Sequence, residues 1–158
     1  MRLTTRTNLA IRVLMYCGVN EDRISRSAEI AEACNASANH LAQVVHLLHV
    51  NDFITATRGR TGGVRLARAA SMINIGQVFR VFEAEMPFTE CAAPDTNTCP
   101  LVSSCRLKSA IQRALDAFFH ELDMVTLEDL VKGNCGLTEI LRIREGLQPQ
   151  NCSETVGA

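Results

Sequence analysis

Residues 27–50 read SAEIAEACNASANHLAQVVHLLHV, and this sequence predicts two helices joined by a short turn. Its first part is a short helical pattern that Ser25 or Ser27 can cap. Residues 35–37 (Asn-Ala-Ser) then form a tight turn, whose serine caps a second helix that runs to about residue 50. Two short helices joined by a three-residue turn are typical of a helix-turn-helix, so we expect a DNA-binding element here.

The second of these helices would be the recognition helix, because its residues divide into an inner and an outer face. The apolar residues repeat at the spacing of one helix face and are expected to point inward: Leu41, Val44, Val45 and Leu48. The amino-terminal part of the outer face carries Ala38, Asn39, His40 and Gln43. In a helix-turn-helix these positions meet base edges in the major groove, where Asn or Gln offers the paired donor and acceptor that adenine requires. An ordinary solvated helix face is the alternative interpretation.

An arginine-rich hairpin follows the two helices. Residues 54–68 alternate with a period of two on both sides of RGRTGG (residues 58–63), whose glycines permit the backbone angles of a hairpin turn. The hairpin carries four arginines: Arg58, Arg60, Arg65 and Arg68. A helix-turn-helix followed by such a hairpin predicts a winged helix. We expect Arg58, Arg60 and Arg65 to contact DNA, because the tip would reach phosphates or the adjacent minor groove.

Charge is distributed unequally along the 158 residues. Residues 1–70 contain nine arginines and five acidic residues, whereas residues 71–158 contain seven basic and twelve acidic residues. A basic half joined to an acidic half is typical of a nucleic-acid reader with a separate sensing or assembly region, although solvated surfaces alone can produce it. Arg12 interrupts the first apolar run, so we predict no export signal and no membrane contact. We therefore expect a cytoplasmic protein with reduced thiols.

Three of the seven cysteines fall in one loop at the spacing C-x7-C-x5-C: Cys91, Cys99 and Cys105. Two prolines and several Asp, Asn, Ser and Thr residues exclude a regular helix or strand there. Structural zinc usually has one ligand pair two to four residues apart, so zinc is disfavoured. Clusters of iron and sulfide accept thiolates from wider spacings, so three cysteines and one outside ligand suit a cluster. A redox thiol, a disulfide and chance are the alternatives that the spacing leaves open.

A linking helix from Ile75 to Glu83 leads into this loop, and a long helix from about Ser104 to Asp123 follows it. The long helix carries an apolar stripe: Leu107, Ile111, Leu115, Phe118, Phe119 and Leu122. Because little chain remains to cover the stripe, we expect it to pair with its copy in a homodimer. Coverage by the first helix and by residues 127–141 is the alternative.

The expected fold class is mainly α with a small β-hairpin, namely a winged helix-turn-helix with a long dimerisation helix. The domains would be a DNA-binding region at residues 1–85, a cysteine loop at residues 86–105, a dimerisation helix and a carboxy-terminal helix at residues 104–145, and a flexible tail at residues 146–158. Four cysteines lie outside the loop and are not expected to be ligands: Cys17, Cys34, Cys135 and Cys152. The first two lie in apolar helical patterns and are expected to be buried hydrophobes.

Five motifs together resemble the Rrf-two family of bacterial winged-helix regulators. The resemblance covers about residues 1–145 and rests on MRLT (1–4), NHL (39–41), RGRTGGVRL (58–66), the three-cysteine loop and TLEDLV (126–131). It implies a homodimeric transcriptional repressor of palindromic double-stranded DNA operators, not an enzyme. It also implies that Cys91, Cys99 and Cys105 bind the irons of an iron-sulfur cluster, with the 4Fe-4S form preferred over the 2Fe-2S form.

Two signals are compatible with the resemblance. NHLAQVVH (39–46) is most similar to the nitric-oxide-sensing repressors of the family, whereas the C-x7-C-x5-C spacing is similar to its iron-responsive regulators. We expect nitric oxide, because the recognition helix determines which operators are read. Some members complete the cluster with an acidic residue near the amino terminus, where this chain has Asn8. The candidates for the fourth ligand are therefore Glu90, Asp95, water and a small thiol.

Two other classes of function stay open on the sequence. An enzyme or electron carrier is disfavoured, because the sequence contains no Ser-His-Asp arrangement, nucleotide loop or metalloprotease motif. A cluster whose loss left DNA binding unchanged would support redox work. A regulator whose cysteines oxidise directly would contain no iron after purification without oxygen.

Overall fold

The computed structural model describes residues 3–57, 59, 62–83, 88–93, 95 and 97–141. Within these residues the helices are α1 (Thr5–Val19), α2 (Ser27–Ala33), α3 (Ala38–Val50), α4 (Ile75–Glu83), α5 (Arg106–Asp123), α6 (Leu127–Val131) and α7 (Cys135–Leu141). Strands β1 (Ile54–Thr57) and β2 (Gly63–Leu66) lie between α3 and α4, and short 3-10 turns cover Ala70–Met72 and Glu90–Ala92. This architecture confirms the predicted winged-helix fold class. None of the helices described is both long and apolar enough to cross a bilayer.

Helix α1 is the central helix of the core. Thr4 caps it, because its side-chain oxygen accepts a hydrogen bond of 3.2 Å from the Thr7 backbone N–H. The apolar residues of α1 are buried: Leu9, Ala10, Val13, Leu14, Tyr16 and Cys17. The helix packs against α3, α4 and α6. It therefore connects the recognition helix with the helix that leads to the cysteine loop.

The helix-turn-helix forms as the sequence predicts. Asn35 adopts the left-handed φ of 47° between the two helices, a conformation that Asn tolerates better than most residues. The side chain of Ser37 then accepts a hydrogen bond of 3.3 Å from the His40 backbone, which begins α3. The inner face of α3 is buried on the core through Leu41, Val44 and Leu48. The opposite face is consequently free to meet a partner.

Besides the pairing of its two strands, the wing contains a short pairing with Ser25 that the sequence did not predict. Strands β1 and β2 pair antiparallel, with Ile54 opposite Leu66. The Ser25 N–H donates to the Val64 carbonyl at 2.9 Å, and the Ser25 carbonyl accepts from the Val64 N–H at 2.8 Å. The expectation that Ser25 or Ser27 caps α2 is therefore wrong. The Ser25 backbone is committed to the wing, Arg26 takes the N-cap position, and Ser27 is the first residue of the helix.

Two glycines serve the wing for different reasons. Gly59 has a positive φ of 112°, which suits the hairpin turn. Gly63 allows close approach, because a Cβ atom there would lie 2.5 Å from the Ser25 carbonyl oxygen. The predicted tip residues Arg58 and Arg60 lie outside the described residues.

Helices α4 and α5 pack against each other in opposite directions. A Cβ atom at Gly76, near the start of α4, would overlap the Asp123 carboxylate at the end of α5. Further along α4, Phe79 contacts Phe118 edge to face with ring centroids 6.2 Å apart. Arg80 donates two hydrogen bonds, of 2.6 and 2.7 Å, to the Asp123 carboxylate. The carboxy-terminal part of α5 is thus fixed on α4.

The carboxy-terminal region contains one helix more than the sequence predicted. Helix α6 begins with a reciprocal cap, since Thr126 accepts from the Asp129 N–H at 3.3 Å and Asp129 accepts from the Thr126 N–H at 2.8 Å. Gly133, with a φ of 73°, then interrupts the helical path. Asn134 accepts from the Leu137 N–H at 3.1 Å and starts α7. The Gly-Asn pair was the available signal for this second start.

Candidate DNA-reading surface and cysteine loop

The outer face of α3 carries the four residues that the sequence singled out for base contact. All four are exposed: Ala38, Asn39, His40 and Gln43. They occupy the first two turns of α3, which is the part of a recognition helix that approaches base edges. Because the inner face is buried on the core, the backbone beneath these side chains is firmly held. Asn39 and Gln43 supply the paired donor and acceptor groups needed for direct readout.

Gln43 is held by a residue of α1. The Arg6 Nη2 atom donates a hydrogen bond of 3.2 Å to Gln43 Oε1. With Oε1 engaged, Nε2 is the amide atom directed to other acceptors. No local sequence pattern predicts this role of Arg6, because the contact joins residues 37 positions apart. Its place in the basic amino-terminal half was the only signal available.

A cavity of about 410 Å³ lies beside this hydrogen bond. Its lining comes from the first turns of α1, from His40 and Gln43 on α3, and from Phe82 on α4. Three elements therefore meet at one point, and one of them leads directly to the cysteine loop. The open volume gives the side chains around Gln43 room to rearrange.

The described wing arginines have different roles. Arg65 lies exposed on β2, and its Nε donates to Thr55 Oγ1 on the opposite strand at 3.3 Å. Arg68 lies over the Phe53 ring, 5.2 Å from the centroid, and donates to Gln77 Oε1 at 3.5 Å. Arg68 thus braces the wing against α4, whereas Arg65 stays on the surface where phosphate contact is sterically open.

The three loop cysteines are free thiols and half-buried. Cys91 lies in a 3-10 turn, and its Sγ is 3.2 Å from Thr89 Oγ1. Cys99 donates its backbone N–H to Asn97 Oδ1 at 3.1 Å. Cys105 is the N-cap residue of α5. Each cysteine therefore stands on a turn, a loop or a helix end, where the side chain can reorient.

The structure does not gather these cysteines into a ligand set. Among the residues that it describes, no three His, Cys, Asp or Glu side chains are placed to hold a metal ion. The donor chemistry nevertheless fits a cluster, since all three thiols are free and partly accessible. Of the protein residues proposed as fourth ligand, Asp95 is exposed and the Glu90 side chain lies outside the described part; Asn8, at the position where some family members have an acidic ligand, is also exposed.

Cys17 and Cys34 form a separate class. Each is only 2% exposed. Burial, with a smaller contribution from neighbouring Cys34, raises the pKa of Cys17 to about 12. Burial also raises the pKa of Cys34. Both therefore stay protonated and pack as small hydrophobes, as the sequence predicted.

Comparison with known proteins places this geometry in context. The model of the family described as Rrf2, iron-dependent transcriptional regulator, matches residues 3–133. The protein named aau3 from Rhizobium meliloti (strain 1021) is 41% identical over 150 residues, covering 95% of this chain and 97% of that protein. The HTH-type transcriptional regulator NsrR of Oceanobacillus iheyensis is 40% identical over 146 residues, covering 92% and 99%. The solved structure titled T. potens IscR shares the fold, with a TM-score of 0.69 at 20% identity over 92% of this chain and 94% of that chain.

The two classes of cysteine predict different rates of alkylation. At pH 8 a thiol of pKa about 12 is ionised in roughly one molecule in ten thousand, so folded, cluster-free protein should be modified by iodoacetamide at Cys91, Cys99 and Cys105 but not at Cys17. Because the pKa is raised, the Cys17 rate should increase about tenfold per pH unit up to that pKa. Peptide mass spectrometry measures each site, with urea-unfolded protein as the control. Equal rates at Cys17 and the loop cysteines in folded protein would contradict this assignment.

Proposed function

The chain belongs to the Rrf2 family of transcriptional regulators, and we propose that it is an iron-sulfur repressor that senses nitric oxide. Its relatives are named as regulators, so the chain is a DNA-binding regulator and not an enzyme. The observation that carries the finer proposal is the placement of three free thiols on the connection between α4 and α5. That connection leaves the DNA-binding fold at one end and enters the long helix at the other. We place the protein in the cytoplasm, where operator DNA is found.

The proposed DNA contacts come from two surfaces. Asn39 and Gln43 on α3 would read base edges, with Ala38 and His40 beside them. The exposed Arg65 would contact phosphate on the wing, as would Arg58 and Arg60 at its tip. The first surface supplies sequence preference and the second supplies salt-dependent affinity. Together they make the α3 side of the molecule the operator-binding face.

The long helix α5 supports a homodimer. Its 18 residues span about 27 Å, against about 13 Å for the 9 residues of α4. Since α5 is fixed on α4 at its carboxy-terminal end, its amino-terminal half extends past α4. Leu107 is 65% exposed there, and none of the 18 residues of α5 is fully buried. A second copy of α5 would cover Leu107, Ile111 and Leu115 and set two recognition helices on a palindrome.

The cluster site would use Cys91, Cys99 and Cys105. The 4Fe-4S form is preferred, with the 2Fe-2S form as the alternative, and when bound the cluster supplies irons with which nitric oxide reacts. Asn is a poor iron ligand, so Asn8 leaves the fourth position to Glu90, Asp95, water or a small thiol. The three cysteines would bind the cluster as thiolates, and this binding would order the loop.

Operator release would follow from the position of the loop. With its three cysteines held, the loop restrains the end of α4 and the start of α5. Without that restraint, the two helices are joined only through their own packing, and the recognition helices lose their fixed spacing. A coupling of roughly 2 to 3 kcal/mol corresponds to a change in operator affinity of about thirty- to a hundred-fold. This is the usual size of a regulatory effect.

An iron-responsive regulator is the second candidate function. The C-x7-C-x5-C spacing favours it, since this spacing resembles that of the iron-responsive regulators of the family. Both candidates share the fold, the operator and the three cysteines. They differ in the event that releases the cysteines, which is reaction with nitric oxide in one case and shortage of iron in the other.

The test is made on protein purified without oxygen. Iron and sulfide content, visible absorption and operator binding are followed in the same samples during addition of nitric oxide and, separately, of an iron chelator. Loss of visible absorption with parallel DNA release at stoichiometric nitric oxide supports the first candidate. Release by the chelator but not by nitric oxide supports the second. Absence of iron would contradict both, and a cluster whose loss leaves DNA binding unchanged would indicate electron transfer.

Substitutions on the two DNA-binding surfaces should have different effects. Asn39→Ala should weaken operator binding by about 1 to 3 kcal/mol and leave non-specific binding almost unchanged, because it removes a base contact. Arg65→Ala should weaken binding to operator and non-specific DNA alike and lower the salt slope by about one, because it removes a phosphate contact. Fluorescence anisotropy over a salt series measures both quantities. Each variant serves as the control for the other, and identical behaviour of the two would contradict the assignment.

The dimer proposal is tested on α5. Leu107→Glu places a charge on the uncovered apolar stripe and should shift the protein toward monomer by at least tenfold in dissociation constant, since a buried charge is costly. Ser109→Glu adds the same charge at an exposed position two residues away and should leave the dimer unchanged. Analytical ultracentrifugation measures both. A monomeric unsubstituted protein, or equal effects of both variants, would exclude this interface.

A further inference from the structure

Glu83 is the last residue of α4 and the last described residue before the cysteine loop. Its Oε1 atom accepts a hydrogen bond of 3.0 Å from the Thr4 backbone N–H and one of 3.1 Å from Thr4 Oγ1. Thr7 Oγ1 donates to the same oxygen. The Glu83 carboxylate thus binds the first turn of α1 through three donors, although the contacting residues are 76 or more positions apart in sequence.

This contact is well suited to transmit a displacement. Hydrogen bonds to an ionised acceptor are about twice as strong as neutral ones. A carboxylate at a helix amino terminus also complements the helix dipole and binds N–H groups that the helix leaves free. Thr7 is fully buried, so its hydroxyl has little access to water as a substitute partner. Movement of the end of α4 therefore either moves the first turn of α1 or takes the charged acceptor from the buried Thr7 hydroxyl, which then has only the Thr4 hydroxyl, 2.8 Å away, as a partner.

The same turn of α1 is linked to α3 by an exposed hydrogen bond. Arg6 lies between Thr4 and Thr7, and its hydrogen bond to Gln43 Oε1 fixes how the amide of that side chain is turned. The cavity beside them also contains Phe82, which precedes Glu83. Glu83 and Gln43 are therefore connected by two sets of hydrogen bonds through a single helical turn. The cavity allows the second set to change without a clash in the core.

We propose that Glu83 is a positioning residue that couples the cysteine loop to Gln43. With the loop ordered, Glu83 holds the first turn of α1, Arg6 engages Gln43 Oε1, and Gln43 Nε2 is directed to an acceptor on a base edge, such as a purine N7. With the loop released, the end of α4 loses the restraint of the loop, its contact with α1 weakens, and Gln43 loses this orientation. The signal then changes base readout as well as the spacing of the dimer. This coupling rests on the proposed cluster-sensing function.

The test measures operator affinity for cluster-loaded and cluster-free protein and takes the ratio of the two dissociation constants. The unsubstituted protein should give a ratio of about thirty to a hundred. Glu83→Gln and Thr7→Val should retain the cluster absorption but reduce the ratio below about five. Both should also reduce the preference of the loaded protein for the base pair read by Gln43. Asp129→Asn is the matched control, because Asp129 likewise accepts from the backbone and hydroxyl of one threonine, at 2.8 and 2.7 Å, but on α6.

Two further measurements check that Glu83 and Thr7 act through one contact and that this contact positions Gln43. In cluster-free protein, Glu83→Gln and Thr7→Val should lower the Tm non-additively, since both remove the same contact. Arg6→Ala alters an exposed side chain, so the fold should persist, and it should reduce the ratio and lose base preference as the Glu83 variant does.

Each contrary result has a distinct meaning. A full ratio and an unchanged base preference in Glu83→Gln would overturn the role of Glu83 and leave the proposed function intact. Loss of cluster absorption in a folded Glu83→Gln variant would show that Glu83 is needed for cluster binding and would also overturn a positioning role. A ratio near one in the unsubstituted protein would overturn the proposed function and, with it, this coupling.

Discussion

The packing of α4 against the end of α5 is the constraint on which the arrangement depends, with Phe79 against Phe118 and the Asp123 end of α5 close to Gly76. The exposed ion pair between Arg80 and Asp123 adds two hydrogen bonds to this joint, and they hold the pKa of Asp123 below its usual value. The Arg80 guanidinium also lies 4.7 Å from the centroid of the Phe119 ring, which adds a cation–π contact to the joint. Because this end of α5 is fixed, its other end must extend away from the core. The cysteine loop then runs from the packed end of α4 to the exposed start of α5.

The cysteine loop starts after Glu83, which is bound to α1, and it ends at Cys105, the N-cap residue of α5. Its first end lies beside the winged helix, and its second end leads to the proposed partner subunit. A change of order in the loop can therefore reach both α3 and the proposed dimerisation helix α5 without a change in the core. The fold separates a rigid DNA-reading part, centred on α1, from a loop whose cysteines stand on turns and helix ends. That separation is what a sensor requires.

The elements that the sequence predicted well are those specified locally. The capping serine of α3 and the pattern of the linking helix each act within a few residues, and both helices form where they were expected. The misses are long-range. Ser25 pairs with β2 and does not cap a helix, and the contacts of Arg6 and Glu83 join segments that are far apart in the chain. The cysteine spacing identified the donor atoms, but a ligand geometry depends on the bound group and on tertiary structure.

Amide hydrogen exchange measures whether a change of order in the cysteine loop reaches the first turn of α1 and the amino-terminal part of α3. The operator-free protein is compared in its cluster-loaded form and after nitric oxide treatment, with peptides that cover the loop, the first turn of α1 and the first two turns of α3. The account predicts that protection falls in all three segments together, while the buried part of α1 stays protected. Loss of protection confined to the loop, with the usual loss of operator affinity, would contradict it, because the signal would then reach DNA by another route.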